Sequence, residues 1–280
     1  MVLILYYFLA SLISSTLGTL IGAGGSAILG PLLLITETSM GTSIGAKNII
    51  GTSLACVVAN SVSGSYRYLK IGTVDIKSGL IFSVIGIPFS ILAALALIEI
   101  DTTNFKIMFG VTLILITIFM IYQSMKNEII GESNSIIKLN NKFFSENREI
   151  VTKDSQIYKY TFSMGVAAFY NIFLGFVATF FGIGGGIIRT PLLIYISRFP
   201  VKIATATSVF SLLFTSLAGT IVYWWQGFYD LNLFFPAATG ALFGAQIGAQ
   251  VSRFLNGQWI IRILALVLLS MGLLLIIQNT

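Results

Sequence analysis

Gly22-Ala23-Gly24-Gly25-Ser26 and Gly182-Ile183-Gly184-Gly185-Gly186 are the two stretches that decide the fold, and they begin 160 residues apart. Each glycine cluster lies inside apolar sequence and is followed by a proline and two leucines in the same register, at Pro31 and at Pro191. Because glycine is unfavourable inside a continuous helix, each cluster predicts a break in a helix. The same break is therefore expected at equivalent places in two related halves of the chain.

Further identities between the halves follow at a spacing of 155 residues. They pair Lys47 with Lys202, Thr52-Ser53 with Thr207-Ser208, Gly64 with Gly219, Tyr68 with Tyr223, Gly72 with Gly227, and Asp75 with Asp230. The sequence thus predicts a first transmembrane repeat over 1–125, a linker over 126–159 and a second transmembrane repeat over 160–280. Broken helices in corresponding positions of two repeats are typical of secondary transporters.

The composition predicts a membrane protein. Charged residues make up 9% of the chain, against about a quarter in soluble domains, and 56% of the residues are hydrophobic. The mean hydropathy is +0.93. We expect an all-α polytopic protein of the cytoplasmic membrane, with multiple passes through the lipid bilayer.

Runs of about 20 apolar residues are long enough to cross the hydrocarbon core. They lie near 2–22, 43–66, 76–98, 104–125, 160–181, 203–226, 231–252 and 258–277. Two shorter segments, about 26–36 and 186–196, follow the glycine breaks and are predicted to be half-helices. The prediction is therefore eight full spans and two half-helices.

Several function classes are excluded by what the chain lacks. It has no histidine and a single cysteine, Cys56, so zinc clusters, internal disulfides and a Ser-His-Asp triad are absent. No pair of nucleophile and base is visible, and no enzyme, metal or cofactor is expected. The net charge of +6 comes from basic residues at the ends of spans, which orient helices and do not indicate nucleic acid as a partner.

The distribution of basic residues predicts the topology. The linker is rich in lysine, and the loop with Arg67, Lys70 and Lys77 is also basic, so both are expected on the cytoplasmic side. The homologous turn 226–230 has no basic residue, whereas basic residues of the second half lie at its other ends. This exchange favours an inverted repeat with the 226–230 turn outside. A parallel arrangement of four plus four spans remains the alternative.

The glycine breaks form the first candidate binding site. Without side chains, backbone N–H groups at the start of the following half-helix can approach an anion. Close packing of helices is the alternative interpretation, although packing alone requires a spacing of four residues. The site comprises Gly22, Gly24, Gly25, Gly182, Gly184, Gly185 and Gly186.

Arg189 is the second candidate, because a charge in apolar membrane sequence indicates a functional site. It lies in the second half-helix, and its counterpart in the first is Leu29. An anion ligand is the role that we expect. The alternative is that Arg189 extends to the membrane interface or pairs with a backbone carbonyl.

The third candidate is a seam of polar residues on the helix after each half-helix. It comprises Thr52, Ser53, Asn60 and Ser61 in the first half and Thr205, Thr207, Ser208, Thr215 and Ser216 in the second. Its pairs lie about two helical turns apart and hence on one face. Their hydroxyl and amide groups could bind sulfonate or carboxylate oxygens, or could bond to helix carbonyls instead.

These motifs, as an ordered set, resemble the TauE/SafE sulfite exporter family of membrane permeases. The resemblance rests on the two glycine-rich breaks before Pro-Leu-Leu, on Gly51-Thr52-Ser53-Leu54 with Ala206-Thr207-Ser208-Val209, and on the turns at 71–75 and 226–230. It implies transport of a small sulfur-containing or organic anion, such as sulfite, thiosulfate or an organosulfonate. Arg189 is not part of the resemblance and depends on the local argument.

The sequence therefore predicts a permease that moves a small anion by alternating access of two repeats. An uncoupled anion channel with the same site is the alternative. It is favoured by the absence of acidic residues and histidines inside the predicted spans, which leaves no usual proton relay.

Overall fold

The computed structural model describes residues 2–40, 44–97, 102–126, 145–153, 155–255 and 257–277. In these ranges the chain forms ten helices and a two-stranded hairpin. The helices are α1 (Val2–Leu20), α2 (Ser26–Met40), α3 (Ala46–Ile71), α4 (Ile76–Ala96), α5 (Thr102–Lys126), α6 (Met164–Phe180), α7 (Gly186–Tyr195), α8 (Val201–Trp225), α9 (Leu231–Val251) and α10 (Gly257–Ile277). The antiparallel strands are β1 (Ser145–Val151) and β2 (Ile157–Ser163).

Each predicted span overlaps a helix, and the two predicted half-helices overlap α2 and α7. Four helices in the described part of the chain are long and apolar enough to cross a membrane by length and composition: α1, α3, α4 and α8. The prediction that the protein is mostly helical is confirmed. α7 has 10 residues and is therefore about 15 Å long, half the thickness of the hydrocarbon core.

The hairpin was not predicted. Strand β2 runs across residue 160, where the sequence suggested the start of a span, and pairs with β1 from Ser145↔Ser163 to Val151↔Ile157. α6 begins only at Met164, where the Ser163 side chain accepts a hydrogen bond from the Val166 N–H. The fold is therefore all-α in its helical body, with one β-hairpin in the linker. Most of the linker, 127–144, lies outside the described residues.

The two halves interlock. α1 packs along α9, and the equivalent helix of the second half, α6, packs along α4. The contact between α1 and α9 depends on glycines at every fourth position, Gly240, Gly244 and Gly248, which face the backbone of Phe8, Leu12 and Thr16. A methyl group at any of them would overlap a carbonyl oxygen of α1, so this stripe serves close packing.

The homologous helices α3 and α8 pack against each other in the centre of the molecule. Leu54 contacts Gly219, and ten residues further along α3, Gly64 contacts Val209. Because the residue number rises along one helix as it falls along the other, α3 and α8 run antiparallel.

Large apolar side chains cover the outside of the bundle. Phe169 on α6 is 64% exposed, Val84 on α4 is 68% exposed and Leu266 on α10 is 70% exposed. Such a surface is unfavourable in water and favourable in contact with lipid. The interior, by contrast, contains many buried hydroxyl groups, which the next section describes.

Candidate functional site

The glycine breaks have the same backbone conformation in both halves. Gly22, Gly24 and Gly25 have φ values of 80°, 78° and 74°, and their counterparts Gly182, Gly184 and Gly185 have 66°, 70° and 82°. This left-handed region is accessible to glycine without steric cost, and other residues reach it only with strain. The paired clusters therefore form real turns between α1 and α2 and between α6 and α7.

Some backbone N–H groups of the breaks close the preceding helices. The N–H groups of Ala23 and Gly24 donate to the Gly18 carbonyl at 2.6 and 3.2 Å. In the second half, the N–H groups of Ile183 and Gly184 donate to the Ala178 carbonyl at 3.0 and 3.2 Å. These donors satisfy the end of a helix, and they are not the groups that face a ligand in this conformation.

The two breaks lie against each other in the middle of the molecule. A methyl group at Gly24 would lie 2.8 Å from Leu212 Cδ1, and one at Gly184 would lie 2.7 Å from Val57 Cγ1. Val57 and Leu212 are near the midpoints of α3 and α8. A methyl group at Gly186 would overlap the Gly22 carbonyl oxygen. The structure thus brings the two glycine clusters together, tightly packed, beside the midpoints of α3 and α8.

The first part of the polar seam holds the backbone of the opposite half. The Thr207 hydroxyl accepts from the Asp75 N–H at 3.0 Å, and the Thr52 hydroxyl accepts from the Asp230 N–H at 2.9 Å. Thr52 and Asp75 belong to one repeat, Thr207 and Asp230 to the other. The two hydrogen bonds are therefore reciprocal, and each ties one repeat to the turn of its partner.

The neighbouring serines bind the breaks themselves. Ser208 donates to the Gly22 carbonyl at 2.9 Å, and Thr190 on α7 donates to the same oxygen at 3.2 Å. Ser53 lies 3.4 Å from the Gly182 carbonyl and 3.0 Å from that of Ile50. The seam thus contacts both glycine breaks through Ser53 and Ser208, whose hydroxyls already have protein partners.

The remaining seam residues are also buried, with different partners. Asn60 donates to the Thr19 hydroxyl at 2.8 Å. Thr205, Thr215 and Ser216 donate to carbonyls in the preceding turn of their own helix. The Ser61 hydroxyl is fully buried without a hydrogen-bond partner. Ser61 is thus the predicted seam residue whose side chain has no hydrogen-bond partner.

Arg189 is fully buried in the first turns of α7. Its Nε donates to Asn171 Oδ1 at 3.0 Å, whereas Nη1 and Nη2 have no hydrogen-bond partner. None of the ion pairs within the described ranges includes Arg189. A buried guanidinium with unpaired N–H groups is costly to the fold, which indicates a group that is kept for binding.

Asn171 is a site residue that sequence reasoning missed. It lies on α6, fully buried, and its Nδ2 donates to the Ala167 carbonyl at 2.7 Å. Because this contact fixes the amide, Oδ1 points at Arg189 and orients the guanidinium. An amide inside an otherwise apolar predicted span was the available signal.

The Asp75 carboxylate organises the end of the molecule that carries the hairpin. It caps α4 through the Ser78 N–H, accepts from the Tyr160 hydroxyl at 2.8 Å and lies 3.4 Å from Arg148 Nε. Burial and the neighbouring carboxylate raise the pKa of Tyr160, so the phenol stays protonated and donates to Asp75. The Lys153 N–H also donates to the Ile71 carbonyl at 3.1 Å. The linker hairpin and the 71–75 turn are therefore at the same end.

Comparison with known proteins identifies the family of the chain. The sequence profile described as sulfite exporter TauE/SafE matches residues 7–275. The probable membrane transporter protein YunE of Bacillus subtilis is 31% identical over 270 residues, which are 96% of this chain and 95% of the relative. A probable membrane transporter protein of Methanocaldococcus jannaschii is 26% identical over 267 residues, 92% of this chain and 89% of the relative. No solved structure matches the chain. The chain therefore belongs to the TauE/SafE sulfite exporter family of membrane transporters.

Proposed function

We propose that the protein is a secondary transporter that moves a small sulfur-containing or organic anion, such as sulfite, thiosulfate or an organosulfonate, across the cytoplasmic membrane. The observation that carries this proposal is the buried Arg189 guanidinium, whose Nη1 and Nη2 lack protein partners. The family description supports the substrate class.

Anion binding follows from the chemistry of this site. A guanidinium presents parallel N–H donors that match two oxygens of a carboxylate, sulfonate or sulfur oxyanion. Asn171 already accepts from Nε, so the Nη1 and Nη2 groups, which have no protein partner, are the donors left for a ligand. A bound anion would neutralise the charge and complete its hydrogen bonds. No metal or cofactor is needed for this role.

We further propose that α1, α3, α4, α5, α6, α8, α9 and α10 cross the membrane and that α2 and α7 are half-helices of an inverted repeat. The antiparallel contact of α3 with α8 supports this topology, because homologous helices that run in opposite directions are related by an axis in the membrane plane. The hairpin end is the cytoplasmic end.

Alternating access is supported by the way the repeats meet. The glycine breaks contact each other at mid-depth, and the reciprocal Thr–Asp hydrogen bonds join the repeats at two separate points. Movement of one repeat against the other would open the breaks to one side at a time. Arg189, on the half-helix after the second break, would carry the anion contact.

Counterflow in proteoliposomes tests the transport activity. Vesicles loaded with unlabelled thiosulfate or sulfite should accumulate the ³⁵S-labelled anion transiently, and Arg189→Gln should reduce this signal strongly. Arg262→Gln is the matched control, because Arg262 is exposed and lies 5.4 Å from the Trp259 ring centroid. Flux without counterflow would identify an uncoupled channel. No flux with sulfite, thiosulfate or an organosulfonate would refute the proposal.

Labelling of single cysteines tests the inverted topology. Lys70 and Trp225 occupy equivalent positions in the two repeats and are exposed. In a background with Cys56 replaced, an impermeant thiol reagent should reach Lys70→Cys from the cytoplasmic side and Trp225→Cys from the outside. Labelling of both from one side would show a parallel repeat.

A further inference from the structure

A polar cleft lies at the hairpin end, between the two repeats and the linker. Its walls include Thr73 after α3, Lys202 and Thr205 on α8, Arg253 after α9, and Tyr158 on β2. None of the described lining residues is acidic. The cleft therefore combines two cationic side chains with hydroxyl groups contributed by both repeats.

The cleft leads toward the first glycine break. A methyl group at Gly22 would lie 3.0 Å from Thr205 Cα, so the floor of the cleft touches the break. Tyr68, which also lines it, donates to the Thr19 carbonyl at the end of α1. Thr205 is thus the single residue that separates the cleft from the first glycine break at this point.

One lining group has unused hydrogen-bonding capacity. Thr73 is 6% exposed, and its hydroxyl has no hydrogen-bond partner. Buried polar groups are normally satisfied, so an unpaired hydroxyl beside cationic side chains points to a ligand with acceptor oxygens. The Lys202 Nζ, for its part, donates to the Arg253 carbonyl at 3.2 Å, which holds the ammonium at the mouth of the cleft.

The opposite end differs at the equivalent position, where Phe228 replaces Thr73. The backbone of Phe228 lies directly against Gly51. The Phe228 ring centroid is 6.4 Å from the Tyr223 ring centroid and 5.8 Å from Lys47 Nζ. The repeat counterparts of Lys202 and Tyr68 therefore pack on the ring of Phe228.

We infer that the cleft at the hairpin end is an anion-binding vestibule that receives the substrate before it reaches the breaks, with Lys202 and Arg253 as its cationic groups. This inference rests on the proposed function and adds to it a second, outer site for the same class of ligand. The opposite end has Phe228 in place of Thr73, so we expect the two faces of the transporter to differ in their affinity for anions.

Charge-selective labelling tests the vestibule without requiring transport. Thr73→Cys, in a Cys56→Ala background, is treated with anionic 2-sulfonatoethyl and cationic 2-(trimethylammonium)ethyl methanethiosulfonate, and each rate is divided by that of a free thiol. We expect the normalised ratio to favour the anionic reagent several-fold. Lys202→Gln should lower the ratio roughly threefold, as expected for one charge at close range in water. Thr152→Cys, also in the cleft, is the second reporter if Thr73→Cys does not fold.

Two matched variants control for general surface charge. Lys70→Gln removes an exposed lysine at the same end outside the cleft, and Lys47→Gln removes the repeat counterpart of Lys202 at the other end. Neither should change the ratio. A normalised labelling ratio near one, or an equal effect of Lys70→Gln and Lys202→Gln on it, would refute the inference that the cleft is an anion-binding vestibule.

Transport kinetics separate this inference from the proposed function. With the anion that gives the largest counterflow, Lys202→Gln should raise KM about threefold and leave Vmax unchanged, because it weakens capture and not translocation. Arg189→Gln, which removes the inner anion contact, should raise KM and lower Vmax as well. An unchanged KM in Lys202→Gln would refute the vestibule while transport stands, whereas a wild-type protein without flux refutes the proposed function itself.

Discussion

The two glycine breaks share a backbone but differ in their chemistry. Both have three left-handed glycines at the same positions, and both are bound by a seam serine of α3 or α8. Only the second carries a charge: Arg189 stands where the first half has Leu29, and Asn171 stands where the first half has Ser11, which donates to the Ala237 carbonyl of α9. The two breaks therefore share the same backbone turn, whereas the buried charge that we propose as the anion contact belongs to the second.

Larger side chains at the breaks should have the largest effect, and the same effect in both halves. Gly24→Leu and Gly184→Leu each place a side chain at positive φ, which costs about 1–2 kcal/mol, and overlap Leu212 or Val57, which costs a further 1–3 kcal/mol or so. We expect transport to be lost in both, with folded protein still recovered by gel filtration. Full activity of either variant would show that its break does not move.

Asn171→Asp and its matched variant Ser11→Asp should have different effects, because the first lies beside Arg189 and the second does not. A carboxylate in place of the amide would pair with Arg189 Nε and neutralise the guanidinium, so the anion would lose its partner. We expect anion affinity to fall by about 1–3 kcal/mol, as for loss of a charge-assisted hydrogen bond, while the melting temperature rises. Ser11→Asp is the matched change at the first break and should lower stability instead. Arg189→Lys should retain part of the affinity, since an ammonium lacks the planar fork. Unchanged binding by Asn171→Asp would remove Arg189 from the site.

Loss of either reciprocal hydrogen bond between the repeats should lower the stability of the protein by an intermediate amount, equal for the two bonds. Thr52→Val and Thr207→Val each leave a backbone N–H, of Asp230 or Asp75, without its acceptor, which should lower stability by about 1–3 kcal/mol. Thermal unfolding in detergent measures the effect. Thr239→Val is the control, because that exposed hydroxyl bonds within its own helix. Clearly unequal losses would show that the two ends are not equivalent in strength.

Tyr160→Phe should have the smallest effect, and only at the hairpin end. It removes one donor from Asp75, which keeps Ser78 and Arg148, so we expect a loss of about 1 kcal/mol. Because the folded state raises the pKa of Tyr160 above the ordinary value of 10.0, this difference should be constant below pH 10 and shrink above it. Tyr158→Phe, whose hydroxyl donates to Gln156 at the surface, should be neutral. A difference that grows above pH 10 would contradict this assignment.

The sequence predicted the helices and breaks well, because hydropathy and glycine clusters act locally. It also singled out Arg189, since a charge in apolar sequence stands out, and the structure buries this side chain, whose role in binding stays a prediction. It did not reveal that Thr52 and Thr207 bind the turns of the opposite repeat, because hydroxyls on a helix face look the same whether they bind a ligand or the backbone. Only the packing of α3 on α8 distinguishes these roles.

The hairpin and Asn171 were missed for different reasons. The strand Ile157–Ser163 is apolar enough to extend the following span, and its pairing with Ser145–Val151 depends on contacts with the 71–75 turn, which are distant in sequence. The first repeat has Ser11 in place of Asn171, so the comparison of the halves, which finds identical residues, did not select it. Comparison of the two repeats reveals the residues that they share. A residue that occurs in one repeat only has to be found from the differences between them.

The interlocking of α1 with α9 has a consequence for biosynthesis. Ser11 and its acceptor, the Ala237 carbonyl, are 226 residues apart in the chain. At 5–20 residues per second, ribosomes need roughly 10 to 45 seconds to bridge that distance. Throughout this interval α1 lacks the glycine stripe against which it finally packs. A nascent chain that stops in the linker would therefore present an uncovered helix surface.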